Sequence, residues 1–257
     1  MVLIRLPFIL CLFCIALFTA CGKESKHSTY TIGVDNSWYP LDVKGREKNI
    51  SLFSTELLQK IATLEDLHLS LMPRNSDALL SGLEEGKYEG MLASMQPYGF
   101  LEKKYDFSEL YLKTGPVIVL PAHSTLAFPE NALTELSGRE IGVVVNSSAI
   151  LVLEKVPGIL IRSFDSIPQA LNAILSGTVD GAAIDYLNAL GYTEDIYANQ
   201  LKIATTPLND EGVRLITLHK GAPELMNAFN EGIEKLQKDG GFNELAYKWQ
   251  LAPNPKK

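Results

Sequence analysis

Two stretches of this chain repeat one order of features, and the repeat restricts the fold more than any other part of the sequence. Residues 78–92, ALLSGLEEGKYEGML, and residues 170–184, ALNAILSGTVDGAAI, each begin with apolar residues at helical spacing. A glycine ends each helix pattern (Gly86 and Gly177), an acidic residue precedes a second glycine, and a short apolar run follows. The pattern predicts, in two places, a helix that leads into a buried strand.

A strand pattern precedes each of these helices. Residues 31–37, TIGVDNS, and residues 140–148, EIGVVVNSS, are β-branched runs that lead into Asn-Ser. A chance likeness between glycine-rich loops is the alternative, but two matched pairs in the same order favour a shared strand–helix–strand plan. Because such units place their strands side by side in parallel, the sequence predicts an α/β protein with two lobes.

Two extended segments set the expected limits of these lobes, at residues 111–126 and 203–221. We predict that residues 29–118 together with 213–257 form the first lobe, and that residues 119–212 form the second. Two chain crossings would make a hinge, so the crevice between the lobes is the natural place for a ligand.

The N-terminal segment, residues 1–20, has the pattern of a secretory signal peptide: Arg5, then a long apolar run, then small residues before Cys21. This arrangement is similar to a bacterial lipobox. We therefore expect Cys21 to become a lipidated N-terminus, with residues 21–28 as a tether to the extracytoplasmic face of a membrane. Ordinary secretion with a free Cys21 thiol is the alternative.

Charge and cysteine content narrow the functional classes. Of 23 Lys and Arg residues only Arg5 lies in residues 1–20, so its removal leaves 22 basic against 30 acidic residues, a net charge of −8. A nucleic-acid binder needs clustered positive charge, so we expect no nucleic-acid partner. Cys11 and Cys14 also lie in the signal peptide, so the mature chain has no second cysteine and no internal disulfide.

Several motifs stand in the order and spacing of a known family. They are VDNSWYPL at 34–41, LFSTELLQKIA at 52–62, KKYDFSELY at 103–111, SFDSIPQALNAILSGTVDGAAID at 163–185 and LQKDGGFNELAYKW at 236–249. With these motifs the chain resembles the extracytoplasmic solute-binding proteins (family 3) that supply polar amino acids to ABC importers. The resemblance implies a periplasmic-binding-protein type II fold and a small polar ligand, an amino acid or a relative of one, in the cleft between the lobes. It also implies ABC permease subunits as partners, a monomer, no cofactor and no metal.

The resemblance further implies ligand-binding positions in the first lobe. Asp35 matches an acid that faces the ligand side chain, and Trp38 matches an aromatic residue that lines the pocket. Ser94 matches a small hydroxyl residue at the end of the pocket strand, and Gln96 follows it with a side chain suited to a polar ligand. As an alternative to a place in the pocket, Trp38 could simply be a residue of the hydrophobic core.

Three positions are implied in the second lobe. Ser147 and Ser148 match a Ser/Thr pair at a helix start, whose hydroxyl and N–H groups meet the ligand carboxylate. Asp185 matches the acid that receives the ligand ammonium, a role that suits a carboxylate because hydrogen bonds between ions are short and strong. As alternatives, Ser148 and Asp185 could only cap the helices that follow them.

The sequence departs from the family pattern where the ligand carboxylate should bind. The family has an Arg there that can form two parallel hydrogen bonds, and counting back from Asp106 places Leu101 at its position. Ser76 stands in place of a stacking aromatic residue, Ala93 in place of a serine, and Ser54 in place of an acid.

Three explanations remain open for the missing Arg. Another basic residue can replace it, and the candidates are Lys103, Lys104 and Arg214. The helix start at Ser147 and Ser148 can hold a carboxylate alone. Otherwise the ligand is not a free α-amino acid, and a larger polar or aromatic ligand would suit Gln96, Tyr98 and Trp38.

Signs of catalysis are sparse. The sequence contains no nucleophile elbow, no phosphate-binding loop and no spacing typical of metal ligands. We therefore expect a binding protein without catalytic residues. Two alternatives are kept: a surface lipoprotein used for adhesion, and a cyclic-acid dehydratase built on the same fold.

Overall fold

A computed structural model describes residues 28–253 apart from 40, 42 and 44. The predicted signal peptide, Cys21 and residues 21–27 of the predicted tether lie outside the described residues. Within the described part, no helix combines the length and apolar character that a membrane span requires.

The described strands form two separate sheets. In chain order they are β1 (Thr29–Val34), β2 (His68–Pro73), β3 (Gly90–Ala93), β4 (Tyr105–Phe107), β5 (Leu112–Lys113), β6 (Pro116–Pro121), β7 (Glu140–Val144), β8 (Leu160–Phe164), β9 (Gly181–Asp185), β10 (Leu201–Ile203) and β11 (Gly212–Leu218). The first sheet has the order β2-β1-β3-β11-β4 with β5 paired to β11, and the second has the order β10-β6-β9-β7-β8. Each sheet holds three parallel strands next to antiparallel ones.

Helices cover both sheets. They are α1 (Glu47–Leu64), α2 (Ser76–Glu84), α3 (Ala149–Leu153), α4 (Ile167–Leu175), α5 (Tyr186–Glu194), α6 (Pro223–Asp239) and α7 (Gly241–Lys248), with short 3₁₀ turns at Pro129–Asn131 and Leu133–Leu136. The predicted pairs of helix and buried strand are α2 with β3 and α4 with β9. The α/β prediction is confirmed because both units form parallel strands flanked by helices.

The C-terminal helices pack back on the first sheet, as the sequence predicts. Gly240 ends α6 with a φ of +86°, a left-handed conformation that glycine adopts without steric cost. The turn brings Phe242 of α7 edge-on to Phe53 of α1, with ring centroids 5.6 Å apart. Phe229 of α6 also packs edge-on against Tyr111, with ring centroids 5.9 Å apart. These rings fill the core between the first sheet and helices α1, α6 and α7.

The second sheet has a core on each face. Leu171 and Ile174 of α4 pack with Val117 and Ala182 on one face. Leu136 and Leu153 lie in a separate cluster on the other face. Because both faces are covered, the strands of this sheet read as nearly continuous apolar runs.

Two chain segments lie side by side where the chain passes between the sheets. The first joins β5 to β6 through Thr114 and Gly115, and the second joins β10 to β11. The N–H of Thr114 donates to the carbonyl of Glu211 at 2.9 Å. A Cβ at Gly115 would overlap Asn209, so glycine is required for this close approach.

The strand pairing places the crossings close to the predicted lobe limits. β6 begins at Pro116, so residues 116–118 lie in the second sheet, although the sequence analysis assigned them to the first lobe. Gly212 begins β11 in the first sheet, although it was assigned to the second lobe. The division into two lobes that move against each other stays a prediction.

Candidate functional site

A cavity of about 830 Å³ lies between the units built on the two sheets. Residues after the carboxyl ends of four strands line it: Ser94 after β3, Ser147 after β7, Asp165 after β8 and Asp185 at the end of β9. In open α/β sheets the carboxyl ends of parallel strands are the usual ligand-binding edge. The structure thus brings together Ser94, Gln96, Ser147, Ser148 and Asp185, five of the seven residues predicted to line the cleft.

Two hydroxyl groups of the cavity lining have no hydrogen-bond partner among the described residues. They are Oγ of Ser94 and Oγ1 of Thr114, and both are shielded from solvent by the protein. Because neither oxygen has surface open to the cavity, a ligand would reach them only after a local rearrangement of the lining. Thr114 also lies beside Asp185, because its carbonyl accepts the N–H of Tyr186 at 3.3 Å.

Ser147 and Ser148 reach the cavity but already have hydrogen-bond partners. Oγ of Ser147 accepts the N–H of Ala149 at 3.2 Å. Oγ of Ser148 donates to Oε2 of Glu211 at 3.1 Å. The helix after them, α3, has five residues, so its dipole adds little to anion binding. A ligand carboxylate at Ser148 would therefore compete with the carboxylate of Glu211.

Asp185 stands at the junction of β9 and α5. It is the residue before the first turn of α5, yet its side chain makes no capping hydrogen bond to that helix. Its side chain is partly buried and faces the cavity. The structure thus places a carboxylate in the cavity lining at the end of β9.

The charge of the cavity lining is mainly negative. Among the residues that the structure describes, four acidic ones line it, namely Asp165, Asp185, Asp195 and Glu211. Among the described lining residues, Arg46 is the basic one, and its Nη1 donates to the carbonyl of Gln250 at 2.9 Å. Because low-dielectric walls strengthen such fields, the cavity favours a ligand with a positive group.

Asp35 and Trp38 lie elsewhere, so the expectation that they line the cleft differs from the structure. Trp38 is 3% exposed in the core of the first sheet. Its Nε1 donates to the carbonyl of Glu47 at 3.2 Å and to Oγ of Ser51 at 3.1 Å. Asp35 accepts the N–H of Ser37 at 3.0 Å and the Ser37 hydroxyl at 2.5 Å. The physical reason is local: the turn after β1 uses both side chains to fix its own shape.

Of the three basic residues considered as replacements for the missing Arg, Arg214 lies on β11, which pairs with β3, the strand that ends just before Ser94. Arg214 is opposite Ala93 across the β11–β3 pairing. It is 7% exposed, and its Nε has no hydrogen-bond partner among the described residues. Burial lowers the pKa of Arg214, with Asp210 and Glu109 opposing that effect. Gln96 Nε2 donates to the carbonyl of Asp210 at 3.0 Å, and Nη2 of Arg214 lies 3.5 Å from the same oxygen.

The two lysines are differently placed. Nζ of Lys104 pairs with Oε1 of Glu84 at 2.7 Å, and its pKa is raised chiefly by that hydrogen bond. Lys103 is exposed and is not part of the cavity lining.

Ser54, which stands where the family has an acid, has a local role in the core. Oγ of Ser54 and the Tyr111 hydroxyl form a buried hydrogen bond of 2.9 Å. Burial raises the pKa of Tyr111 well above its ordinary value.

A second cavity of about 360 Å³ adjoins the first and shares Ser94 and Gln96 with it. Leu101 and Ser76 both line this second cavity. These are the two positions where the resemblance implied an Arg and a stacking aromatic residue. The two departures from the family pattern therefore fall in one place and leave an apolar pocket there.

Sequence reasoning missed several lining residues, above all Arg46, Thr114 and Glu211. Thr114 and Glu211 lie on the two crossing segments, which the sequence marks only as extended. One signal for Arg46 was present: a cation directly before the first turn of α1 is unfavourable for the helix dipole. A residue that opposes a local preference often has a role in the tertiary structure.

Residues 30–252 match the sequence model of the bacterial extracellular solute-binding proteins, family 3. The L-cystine-binding protein TcyJ of Escherichia coli (strain K12) is 24% identical over 229 residues, which cover 89% of this chain and 85% of the relative. The glutamine-binding protein GlnH of an ABC transporter of Bacillus subtilis (strain 168) is 24% identical over 260 residues, 93% of each chain.

Solved structures share the fold. The L-cystine solute receptor of Neisseria gonorrhoeae, in its unliganded open conformation, superposes with a TM-score of 0.68 at 20% sequence identity. The match covers 87% of this chain and 93% of the receptor chain. The second substrate-binding domain of a putative amino acid ABC transporter from Streptococcus pneumoniae gives a TM-score of 0.65 at 21% identity, covering 87% of this chain and 100% of its own. With the family match spanning nearly all of the described chain, this protein belongs to the bacterial extracellular solute-binding proteins, family 3.

Proposed function

We propose that this protein captures an amino acid, or a small relative of one, in the cavity between its two sheets and delivers it to an ABC importer. The observation that carries the proposal is the mainly acidic cavity between the two sheets, where Ser94 and Asp185 stand at the carboxyl ends of strands. A ligand ammonium would offset part of this negative charge, since hydrogen bonds between ions are short and strong.

Asp185 receives the ammonium group of the ligand. Support comes from its place at the end of β9 and from the acidic character of the lining. Ser94 and Thr114, which line the same cavity, supply contacts to the remainder of the head group. Arg46 is the cation available to a ligand carboxylate within the described lining. Ser147, Ser148 and Gln96 contribute polar contacts, with Glu211 as a competitor for Ser148.

The relatives named for cystine and glutamine binding support solute capture and give no support to the adhesion or dehydratase alternatives. A binding role without catalytic residues fits the family description. Lipidation at Cys21, an extracytoplasmic location on a membrane, permease subunits as partners and a monomeric state complete the proposal. The single cysteine after the signal-like segment supports the anchor.

The experiment is a thermal-shift screen of the purified protein against the common amino acids, L-cystine, short peptides and polar metabolites without an amino group. A ligand at a hundred times its dissociation constant adds about 2.7 kcal/mol of stability, which for a chain of this size raises Tm by roughly 5–10 °C. A shift with one or more amino acids is the expected result. A shift with amine-free metabolites alone would overturn the ligand class, and no shift with any compound would overturn solute capture.

A further inference from the structure

The second cavity differs in chemistry from the first. Eleven of the described residues line it, and none of these carries a charge. Leu79, Leu80, Met91, Met95 and Leu101 are among its lining residues, and Ser94 and Gln96 line both this cavity and the acidic one. An acidic cavity and an uncharged, apolar one therefore adjoin each other at Ser94 and Gln96.

The floor of this pocket belongs to the folded core. Met91 is 1% exposed and Leu79 is 6% exposed, and both lie in the cluster that also holds Tyr88 and Ile216. Because β3 and α2 carry these side chains, the floor is held by regular secondary structure. Methionine side chains fit groups of varied shape, since they are unbranched and polarizable.

Aromatic side chains stand exposed at the mouth of the pocket. Tyr39 is 73% exposed and Tyr98 is 59% exposed, and both line the pocket. The ring of Phe100, 71% exposed, stacks on Tyr98 with centroids 5.8 Å apart and planes at 7°. A cluster of exposed aromatic residues beside a cavity is typical of a ligand-binding surface, because covering the rings removes apolar area from water.

We propose that this pocket is the subsite for the ligand's side group, and that the ligand is an amino acid with a large uncharged side group: aliphatic, aromatic or thioether. The inference rests on the proposed function, because the head group of the same ligand occupies the acidic cavity. A volume of about 360 Å³ lies at the small end of the range for ligand sites. It is enough for one side group, and its described lining residues offer no counter-ion to a charged one.

The size of the effect follows from apolar burial. Burying a side chain of the size of Leu, Met or Phe contributes on the order of tenfold to a hundredfold in affinity over a ligand without it. A charged side group in the same pocket loses its hydration without a counter-ion, and so binds more weakly.

The test measures dissociation constants by titration calorimetry for L-phenylalanine, L-methionine, L-leucine, L-alanine and L-lysine. We expect at least one of the three large uncharged ligands to bind tenfold or more tighter than both alanine and lysine. Ser76→Leu fills the pocket from α2, and should weaken that ligand at least tenfold while changing alanine less than threefold. Ser81→Leu makes the same change at an exposed position of α2 outside the pocket, and should change neither.

The outcomes separate this inference from the proposed function. If no amino acid binds the unaltered protein, both are overturned. If alanine or lysine binds as tightly as the large uncharged ligands, or if Ser76→Leu and Ser81→Leu behave alike, the subsite is overturned while amino-acid capture stands.

Discussion

The hydroxyl of Ser148 donates a hydrogen bond to Oε2 of Glu211 at 3.1 Å, and this bond joins the loop after β7 in the second sheet to the segment before β11 in the first. The resemblance implied that Ser148 would meet a ligand carboxylate. A protein carboxylate holds that position instead. The ligand therefore either displaces Glu211 or binds with its positive group toward it.

Glu211→Gln should make the cavity more tolerant of negative charge. At an effective dielectric constant near 20, two like unit charges even about 12 Å apart repel each other by roughly 1.4 kcal/mol, or about tenfold in affinity. The matched ligands are L-glutamate and L-glutamine, which differ in one charge. The disadvantage of glutamate relative to glutamine should shrink about tenfold in the variant. Glu154→Gln, at an exposed acid outside the cavity lining, is the control and should leave the ratio unchanged.

Asp185→Ala should weaken binding of the amino acids found in the screen at least a hundredfold. Removing one partner of a buried charge pair costs about 3–5 kcal/mol. Calorimetry measures the affinity, and circular dichroism checks that the fold is kept. Asp77→Ala, at an exposed residue in the first turn of α2, serves as control. Equal affinities of Asp185→Ala and the unaltered protein would remove Asp185 from the site.

Trp38→Phe should lower stability and leave binding unchanged. The variant keeps most of the aromatic packing but leaves the Glu47 carbonyl and the Ser51 hydroxyl without the indole N–H. We expect a loss of about 1–3 kcal/mol in the free energy of unfolding, measured by urea denaturation, with a change below threefold in dissociation constant. A large loss of affinity at unchanged stability would restore the pocket role that the resemblance implied.

Gly115→Ala should destabilise the protein at the crossing between the sheets. The added methyl would overlap Asn209, and overpacking of this kind costs about 1–3 kcal/mol. Asn209→Gly in the same chain should recover part of the loss, because the overlap is mainly with the Asn209 side chain. Gly99→Ala is the matched control, since the nearest atom to its Cβ would be 4.0 Å away. Additive effects of the two changes would show that the contact is unimportant.

Cys21→Ala should release the protein from the membrane fraction. The change removes the thiol that would carry the lipid, and the remaining signal segment would be cleaved as in ordinary secretion. Fractionation and immunoblotting measure the distribution, with Ser28→Ala in the tether as control. Retention of Cys21→Ala in the membrane fraction would count against the anchor.

Local patterns in the sequence were enough to predict the fold class. The periodic apolar residues of α2 and α4, their glycine stops and the buried runs of β3 and β9 each reflect contacts within one strand–helix–strand unit. Ser94, Ser147 and Asp185 came from the resemblance to the family, and each lies at or just after the end of a strand beside the cavity.

The tertiary structure decided what those patterns do not encode. Arg46, Thr114 and Glu211 reach the cavity because distant segments cross between the sheets, and no local periodicity marks such a contact. Trp38 turns into the core because its indole N–H finds partners at Glu47 and Ser51 across a turn. In the sequence, Leu101 stands where the family has an Arg, so the position is interpreted as one that has lost a charge. Only its packing with Leu79 and Met91 makes it the wall of an apolar pocket, since a cavity depends on how separate elements meet in space.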